Sequence, residues 1–127
     1  MSLGAVGSMR ATLERVIAIL GERSVSQSVR HRVAEQALAA EIAAAMTYQA
    51  LRRFLDGGDA VREVTMAKLL TQRANFDLQD DCFGILADLG HPEAMDLARA
   101  ARDARLGPIG GGTDEIMKEI LGKTLGL

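Results

Sequence analysis

Apolar residues recur every three or four positions along most of the chain, which is the period of a helix with one buried face. The pattern is clearest in two windows that lack glycine and proline, from Glu22 to Asp56 and from Asp59 to Phe83. Gly57 and Gly58 lie between the windows and predict a helix end followed by a tight turn. The stripe of the first window comprises Val29, Val33, Ala37, Ala40, Ala44, Tyr48, Leu51 and Leu55, and that of the second comprises Ala67, Leu70, Ala74, Leu78, Cys82, Ile85 and Leu89.

Shorter helices are predicted on both sides of this long pair. The first ends near Gly21, and Ser24 with Gln27 would form a capping box where the next helix begins. Pro92 is placed as a first-turn proline that opens an Ala-rich helix running to about Arg105. The apolar face of the first helix comprises Val6, Met9, Leu13, Val16 and Leu20.

The final segment predicts one more helix after a glycine-rich loop. Thr113 is expected to be its N-cap, with Asp114 and Glu115 in the first turn, where negative charge opposes the positive end of the helix dipole. No segment shows the alternation of a strand. The chain is therefore expected to be all-α, an up-and-down four-helix bundle with an additional short C-terminal helix, forming one domain over residues 1–127.

The composition favours helix and argues against several classes of function. The chain contains 20 Ala and 16 Leu but only one Tyr, three Phe and no Trp, and its net charge is −2. We do not expect nucleic-acid binding, because it relies on basic surfaces and on aromatic side chains that stack against bases. The longest apolar runs, such as Val16 to Leu20, are far below the roughly 18 residues of a membrane span. The single cysteine, Cys82, and the lack of a visible signal peptide fit a cytoplasmic protein.

The glycine-rich loop is the strongest local signal for a ligand site. Gly110, Gly111 and Gly112 remove side chains ahead of a helix N-terminus, which favours an anion such as a phosphate. The alternative, which the spacing alone favours, is a mobile hinge for the last helix.

Metal and nucleophile chemistry find little support in the residue spacing. Helical di-iron sites use Glu-x-x-His pairs, whereas Ser28 precedes His31 and Asp88 precedes His91 at that spacing. No metal site is expected. Cys82 lies on the apolar stripe and is expected to be a small core residue, and His31 is expected on the surface.

Two stretches of the chain resemble the acyl-CoA dehydrogenase family. Residues 102–105, Arg-Asp-Ala-Arg, followed by 112–120, Gly-Thr-Asp-Glu-Ile-Met-Lys-Glu-Ile, are similar to the C-terminal signature of that family. Residues 27–35 resemble the segment that opens the following long helix. The resemblance implies the family's C-terminal four-helix bundle over nearly the whole chain, an FAD-dependent oxidoreductase activity in fatty acid metabolism, and flavin-contact positions at Gln27, Thr113 and Glu115.

The departures from the family pattern concern catalysis. In many members the catalytic Glu directly precedes the Gly-Thr pair, and Gly111 occupies that position here. The alternative base position of other members would fall ahead of residue 1. The flavin-phosphate loop between Arg23 and Gln27 is missing, and of the Gln-x-x-Gly-Gly-x-Gly stretch only Gly90 remains. The N-terminal helical and middle β-domains are also absent from these residues.

Two hypotheses follow from the resemblance. The chain alone is a non-catalytic, oligomerising bundle that binds FAD weakly or not at all. Alternatively, it is one part of a split or heteromeric enzyme, whose base and flavin pocket come from a fuller acyl-CoA dehydrogenase chain.

A second apolar row favours self-association. Leu38, Ile42 and Met46 lie beside the core stripe of the helix from Gln27 to Leu55, and a bundle normally buries one stripe per helix. We expect a homodimer or homotetramer across this row. The alternative is that the C-terminal helix, with Ile116 and Ile120, folds back over it.

Overall fold

Five helices and no strand make up the protein in a computed structural model that describes all of residues 1–127. This confirms the predicted all-α class. Helix α3 is central and packs against each of the other four helices. The helices are α1 (Ser2–Gly21), α2 (Gln27–Leu55), α3 (Val61–Asp88), α4 (Ala94–Ala104) and α5 (Asp114–Thr124).

The core is aliphatic, as the scarcity of aromatic residues predicts. Its largest fully buried side chains include Met9 and Val16 from α1 and Leu78, Ile85 and Leu86 from α3. Burying each such side chain stabilises the fold by about 1.5–3 kcal/mol. Helix α2 contributes small residues to the same cluster, namely Ala40, Ala43 and Ala44.

The stripe predicted for α2 is rotated in the structure. Tyr48 and Leu55 are exposed, whereas Thr47 is buried on the side that faces α3. The hydroxyl groups of Thr47 and Thr71 lie 2.9 Å apart and hydrogen-bond across the two helices. Because Thr47 and Thr71 hydrogen-bond to each other, these two polar residues occupy core positions that the apolar pattern did not predict. On α3, Leu70 and Leu89 are exposed, while the other five predicted stripe residues are buried.

Two predicted helix starts require correction. Helix α2 is capped by Ser26, whose side chain accepts a hydrogen bond from the backbone N–H of Val29, and the Ser24–Gln27 capping box is wrong. An N-cap directly precedes the first helical residue, so a start at Gln27 selects Ser26. Pro92 lies in the turn before α4, two residues ahead of the helix proper.

The second apolar row of α2 is not covered by the C-terminal helix. Leu38 remains 63 % exposed and Ile42 50 % exposed, and Met46 is half-buried. Helix α5 packs against α3 instead. The alternative, in which α5 folds back over this row with Ile116 and Ile120, is therefore wrong. No helix is both long and apolar enough to span a bilayer.

Candidate functional site

The loop between α4 and α5 turns through backbone conformations that glycine tolerates. Gly111 and Gly112 have φ angles of +69° and +108°, in a region that side chains disfavour. A Cβ at Gly111 would lie 2.6 Å from the sulfur of Met1, and one at Gly112 would lie 2.5 Å from the terminal methyl of Met117. Both positions therefore favour glycine for the path of the chain, and a side chain there would also have to displace the flexible end of Met1 or Met117.

Asp114 joins this loop to α3. It is the first residue of α5 and the only residue of that helix that is buried. Its carboxylate accepts a hydrogen bond from Arg73 at 2.9 Å, and the ammonium of Lys68 lies 3.8 Å away. Lys68 is itself buried and donates a hydrogen bond to the backbone carbonyl of Gly112. These contacts hold the loop against α3, whereas a mobile hinge would lack such contacts.

The first-turn amides of α5 are already engaged within the chain. The N–H of Asp114 donates to the carbonyl of Pro108 at 3.1 Å, and that of Ile116 donates to the hydroxyl of Thr113 at 3.4 Å. Thr113 is therefore the N-cap, as predicted. The carboxylate of Glu115 accepts from its own backbone N–H, which, with the Thr113 hydroxyl, lowers the pKa of Glu115. Two carboxylates and a side-chain cap thus occupy the helix end where an anion would bind.

Gln27 lies far from Thr113 and Glu115 in the folded chain. Near the start of α2, Arg32 donates to Asp81 at 2.9 Å, whereas the start of α5 contacts Arg73. Arg73 and Asp81 are eight residues apart, which is about 12 Å along α3 at roughly 1.5 Å per residue. Since Gln27 lies beyond Arg32, the structure does not bring the three predicted contact positions into one pocket.

The other candidate residues lie in the core or on the surface. Cys82 is fully buried, and burial raises the pKa of its thiol to about 12. This confirms its assignment to the core. His31 is exposed, and Asp81 pairs with Arg32. No group of three His, Cys, Asp or Glu side chains is arranged to hold a metal ion.

Sequence reasoning missed a buried polar face on α3. Its members are spaced by four, three and four residues, and all are less than 9 % exposed: Lys68, Gln72, Asn75 and Gln79. That helical spacing within a long amphipathic segment was the available signal.

Comparison with known proteins places this arrangement in a family. The family model for the acyl-CoA dehydrogenase C-terminal domain matches residues 1–126. The chain therefore belongs to the acyl-CoA dehydrogenase family, as the C-terminal helical domain. It is 29 % identical over 126 residues to benzylmalonyl-CoA dehydrogenase of Aromatoleum aromaticum, covering 94 % of this chain and 33 % of that protein. It is 28 % identical over 124 residues to the mitochondrial short-chain specific acyl-CoA dehydrogenase of Bos taurus, covering 92 % and 30 %.

Solved structures agree with the helical fold. A probable acyl-CoA dehydrogenase from Mycobacterium abscessus superposes with a TM-score of 0.88 at 30 % identity, over 98 % of this chain and 35 % of that one. The FAD complex of PigA superposes with a TM-score of 0.90 at 28 % identity, over 99 % and 35 %. The chain spans about a third of the length of these relatives.

The residues present do not fit a flavin site within one copy of this chain. Gln27 is remote from Thr113, the hydroxyl of Thr113 caps α5, and the carboxylates of Asp114 and Glu115 face the same helix end. The only cation buried nearby, Lys68, is held by Gly112 and Asp114. Lys68 and Arg73 are both already paired with Asp114, so neither is a free cationic partner for a diphosphate at this helix end.

Proposed function

We propose that these 127 residues act as a non-catalytic helical bundle that associates with further copies of itself. The observation that carries the proposal is Gly111, which stands at the family's base position. Removal of an α-proton needs a carboxylate held against the substrate, and glycine has none. Its φ of +69° disfavours any side chain at this point, and a Cβ there would have to displace the end of the Met1 side chain.

The exposed row on α2 supports association. Leu38 follows Ala34 by one helical turn, and Ala34 lines an apolar groove of about 480 Å³ between the end of α1 and the start of α2. Ile17, Val33 and Ala37 help to line this groove. Contiguous apolar surface of this kind on a small domain is typical of an interface. The proposed assembly is a homodimer or homotetramer across this face.

Light scattering coupled to gel filtration at micromolar concentration tests the assembly. The wild-type chain is expected to elute as a dimer or tetramer, and Ile42→Glu as a monomer with unchanged helical content by circular dichroism. The charge would be buried without a partner only in the assembly. Ala11→Glu, exposed on the opposite side of α1 from its buried face, is the matched control and should leave the assembly intact. A monomeric wild-type chain, or an Ile42→Glu variant that still assembles, would contradict the proposal.

A second candidate is one part of a heteromeric acyl-CoA dehydrogenase. The observation that favours it is the coverage: the matched relatives are about three times as long and contain FAD-binding members. In this case the base and the flavin pocket come from a fuller acyl-CoA dehydrogenase chain. Co-purification with such a chain, followed by an acyl-CoA oxidation assay, distinguishes the two. Activity that requires both chains supports the heteromer, and activity that the fuller chain shows unaided supports the bundle.

A further inference from the structure

A cleft of about 380 Å³ opens between the start of α1, the middle of α3 and the end of α4. Helix α3 contributes Gln72 and Asn75 to its lining, and α1 contributes Ser8. Asp103 lies at the α4 side. Gly107, at the start of the α4–α5 loop, brings bare backbone against the amide of Gln72. The cleft is thus polar on the α3 side, although α3 is the central helix of the bundle.

One end of the polar face of α3 is fully satisfied within the protein. The side-chain oxygen of Gln79 accepts from Thr12 at 2.9 Å. Its NH₂ group donates to Ser8 at 3.1 Å and to Asn75 at 3.2 Å. Buried amides are normally paired in this way, because an unpaired one costs about 1–3 kcal/mol.

Gln72, two turns earlier on α3, departs from that pattern. It is 4 % exposed, and its side-chain NH₂ has no acceptor in the protein. The neighbouring groups in the cleft are donors as well. Asn75 and Ser8 both accept from Gln79, so the NH₂ of Asn75 and the hydroxyl hydrogen of Ser8 remain for another partner. Three donors without an internal acceptor therefore line one cleft.

The charge of the lining selects among acceptors. No Lys, Arg or His lines the cleft; its ionised groups are the exposed carboxylate of Asp103, which pairs with Arg99 at 3.8 Å, and the α-ammonium of Met1. These two opposite charges leave the lining with no net charge, so neither an anion nor a cation is favoured over a neutral ligand. A neutral carbonyl oxygen would satisfy the donors, and an N–H on the same ligand could donate towards Asp103. A carboxamide carries both groups.

We propose that this cleft is a binding site for a small neutral carboxamide, held through its carbonyl oxygen by Gln72, Asn75 and Ser8. The site does not depend on flavin binding or on self-association, so its failure and that of the proposed function are distinguishable. It is formed within one chain and belongs to the surface around α3 and α4, away from the apolar row of α2.

Two substitutions remove or displace the side-chain amide of Gln72 while the fold is kept. Gln72→Leu keeps the volume of the side chain and removes the unpartnered amide, a change expected to leave stability unchanged or raise it. Gly107→Ala would place a Cβ 2.3 Å from the side-chain oxygen of Gln72, which forces that flexible amide to move. The φ angle of Gly107 is not in the positive region, so alanine there adds no backbone strain.

The test is a titration of the full ¹⁵N-labelled chain with butyramide, butyrate and butylamine, followed by amide NMR shifts. Butyramide is expected to shift the side-chain NH₂ signals of Gln72 and Asn75 with a Kd on the order of 1–10 mM, as suits six non-hydrogen atoms. The two charged probes should bind at least about tenfold more weakly. Gln72→Leu and Gly107→Ala should each weaken butyramide binding by about tenfold or more while the fold is retained.

Three outcomes would overturn the proposal. In the first, no probe shifts these signals, so that the cleft holds water alone. In the second, butyrate binds as well as butyramide. In the third, the Gln72→Leu variant, with an unchanged or higher melting temperature, still binds butyramide like the wild type.

Discussion

The guanidinium of Arg73 donates to the carboxylate of Asp114 across 2.9 Å, which binds the first residue of α5 to the middle of α3. Lys68 approaches the same carboxylate from the buried side. One acidic residue thus neutralises a buried lysine, begins a helix and fixes the glycine-rich loop before it. The position of α5 depends on this contact, because the other residues of α5 are at most partly buried.

Asp114→Ala should destabilise the protein strongly. It leaves the ammonium of Lys68 buried without its counter-ion, which is expected to lower the free energy of unfolding by about 3 kcal/mol. Urea denaturation measures the loss, and hydrogen exchange should show that α5 is released first. Asp103→Ala is the matched control, since its pair with Arg99 is exposed and should contribute less than about 0.5 kcal/mol. Equal costs for the two variants would contradict the role assigned to Asp114.

Gly111 should resist substitution even by alanine. Its φ is positive, and a Cβ added there would lie 2.6 Å from the sulfur of Met1. Together these predict a loss of about 1–2 kcal/mol for Gly111→Ala. Gly7, inside α1 with open space around it, is the control, and Gly7→Ala should stabilise by up to about 1 kcal/mol. Thermal unfolding of both variants provides the comparison, and a stabilised Gly111→Ala would show that the loop adopts another path.

The same position allows a direct test of catalysis. Gly111→Glu restores the family's carboxylate but not the surroundings that would orient a thioester, so no acyl-CoA oxidation is expected from this chain alone. An electron-acceptor assay with the purified variant measures it, with the wild-type chain as the blank. Turnover above that blank would mean that the remaining residues suffice for the reaction.

Cys82 should react only when the protein unfolds. Its thiol is fully buried and its pKa is raised to about 12, so the reactive thiolate is scarce at neutral pH. Labelling with a thiol reagent should be slow in buffer and should accelerate in step with unfolding in urea. Rapid labelling under native conditions would indicate that the α3 core opens locally.

The long helices could be predicted because their signal is local. Glycines and apolar spacing mark the ends of α2 and α3 to within about five residues, and Thr113 directly precedes a helix with acids in its first turn. Choosing between Ser24 and Ser26 as the cap required knowing where α2 begins. The second glycine-free window ends at Phe83, yet α3 continues through Gly84 to Asp88.

The candidate site depends on contacts between residues distant in sequence. Arg73 and Asp114 are 41 residues apart, and no local sequence feature at either residue predicts their contact. The run of glycines marks the loop as a special feature, but its nearest cation, Lys68, is hidden in the interior of a helix. Only the packing of α5 on α3 shows that the helix end is already neutralised.

The last prediction concerns FAD. The positions that resemble flavin contacts are divided between the start of α2 and the start of α5, and the first-turn amides of α5 are engaged within the chain. We therefore expect the purified chain to be colourless and to bind FAD more weakly than about 100 μM, which corresponds to roughly −5.5 kcal/mol. Quenching of flavin fluorescence, with FMN and ADP as matched probes for the two halves of FAD, measures the affinity. Co-purification of stoichiometric FAD would contradict this, and Thr113→Val would then tell whether α5 holds the cofactor, since that change removes the hydroxyl and keeps the shape of the side chain.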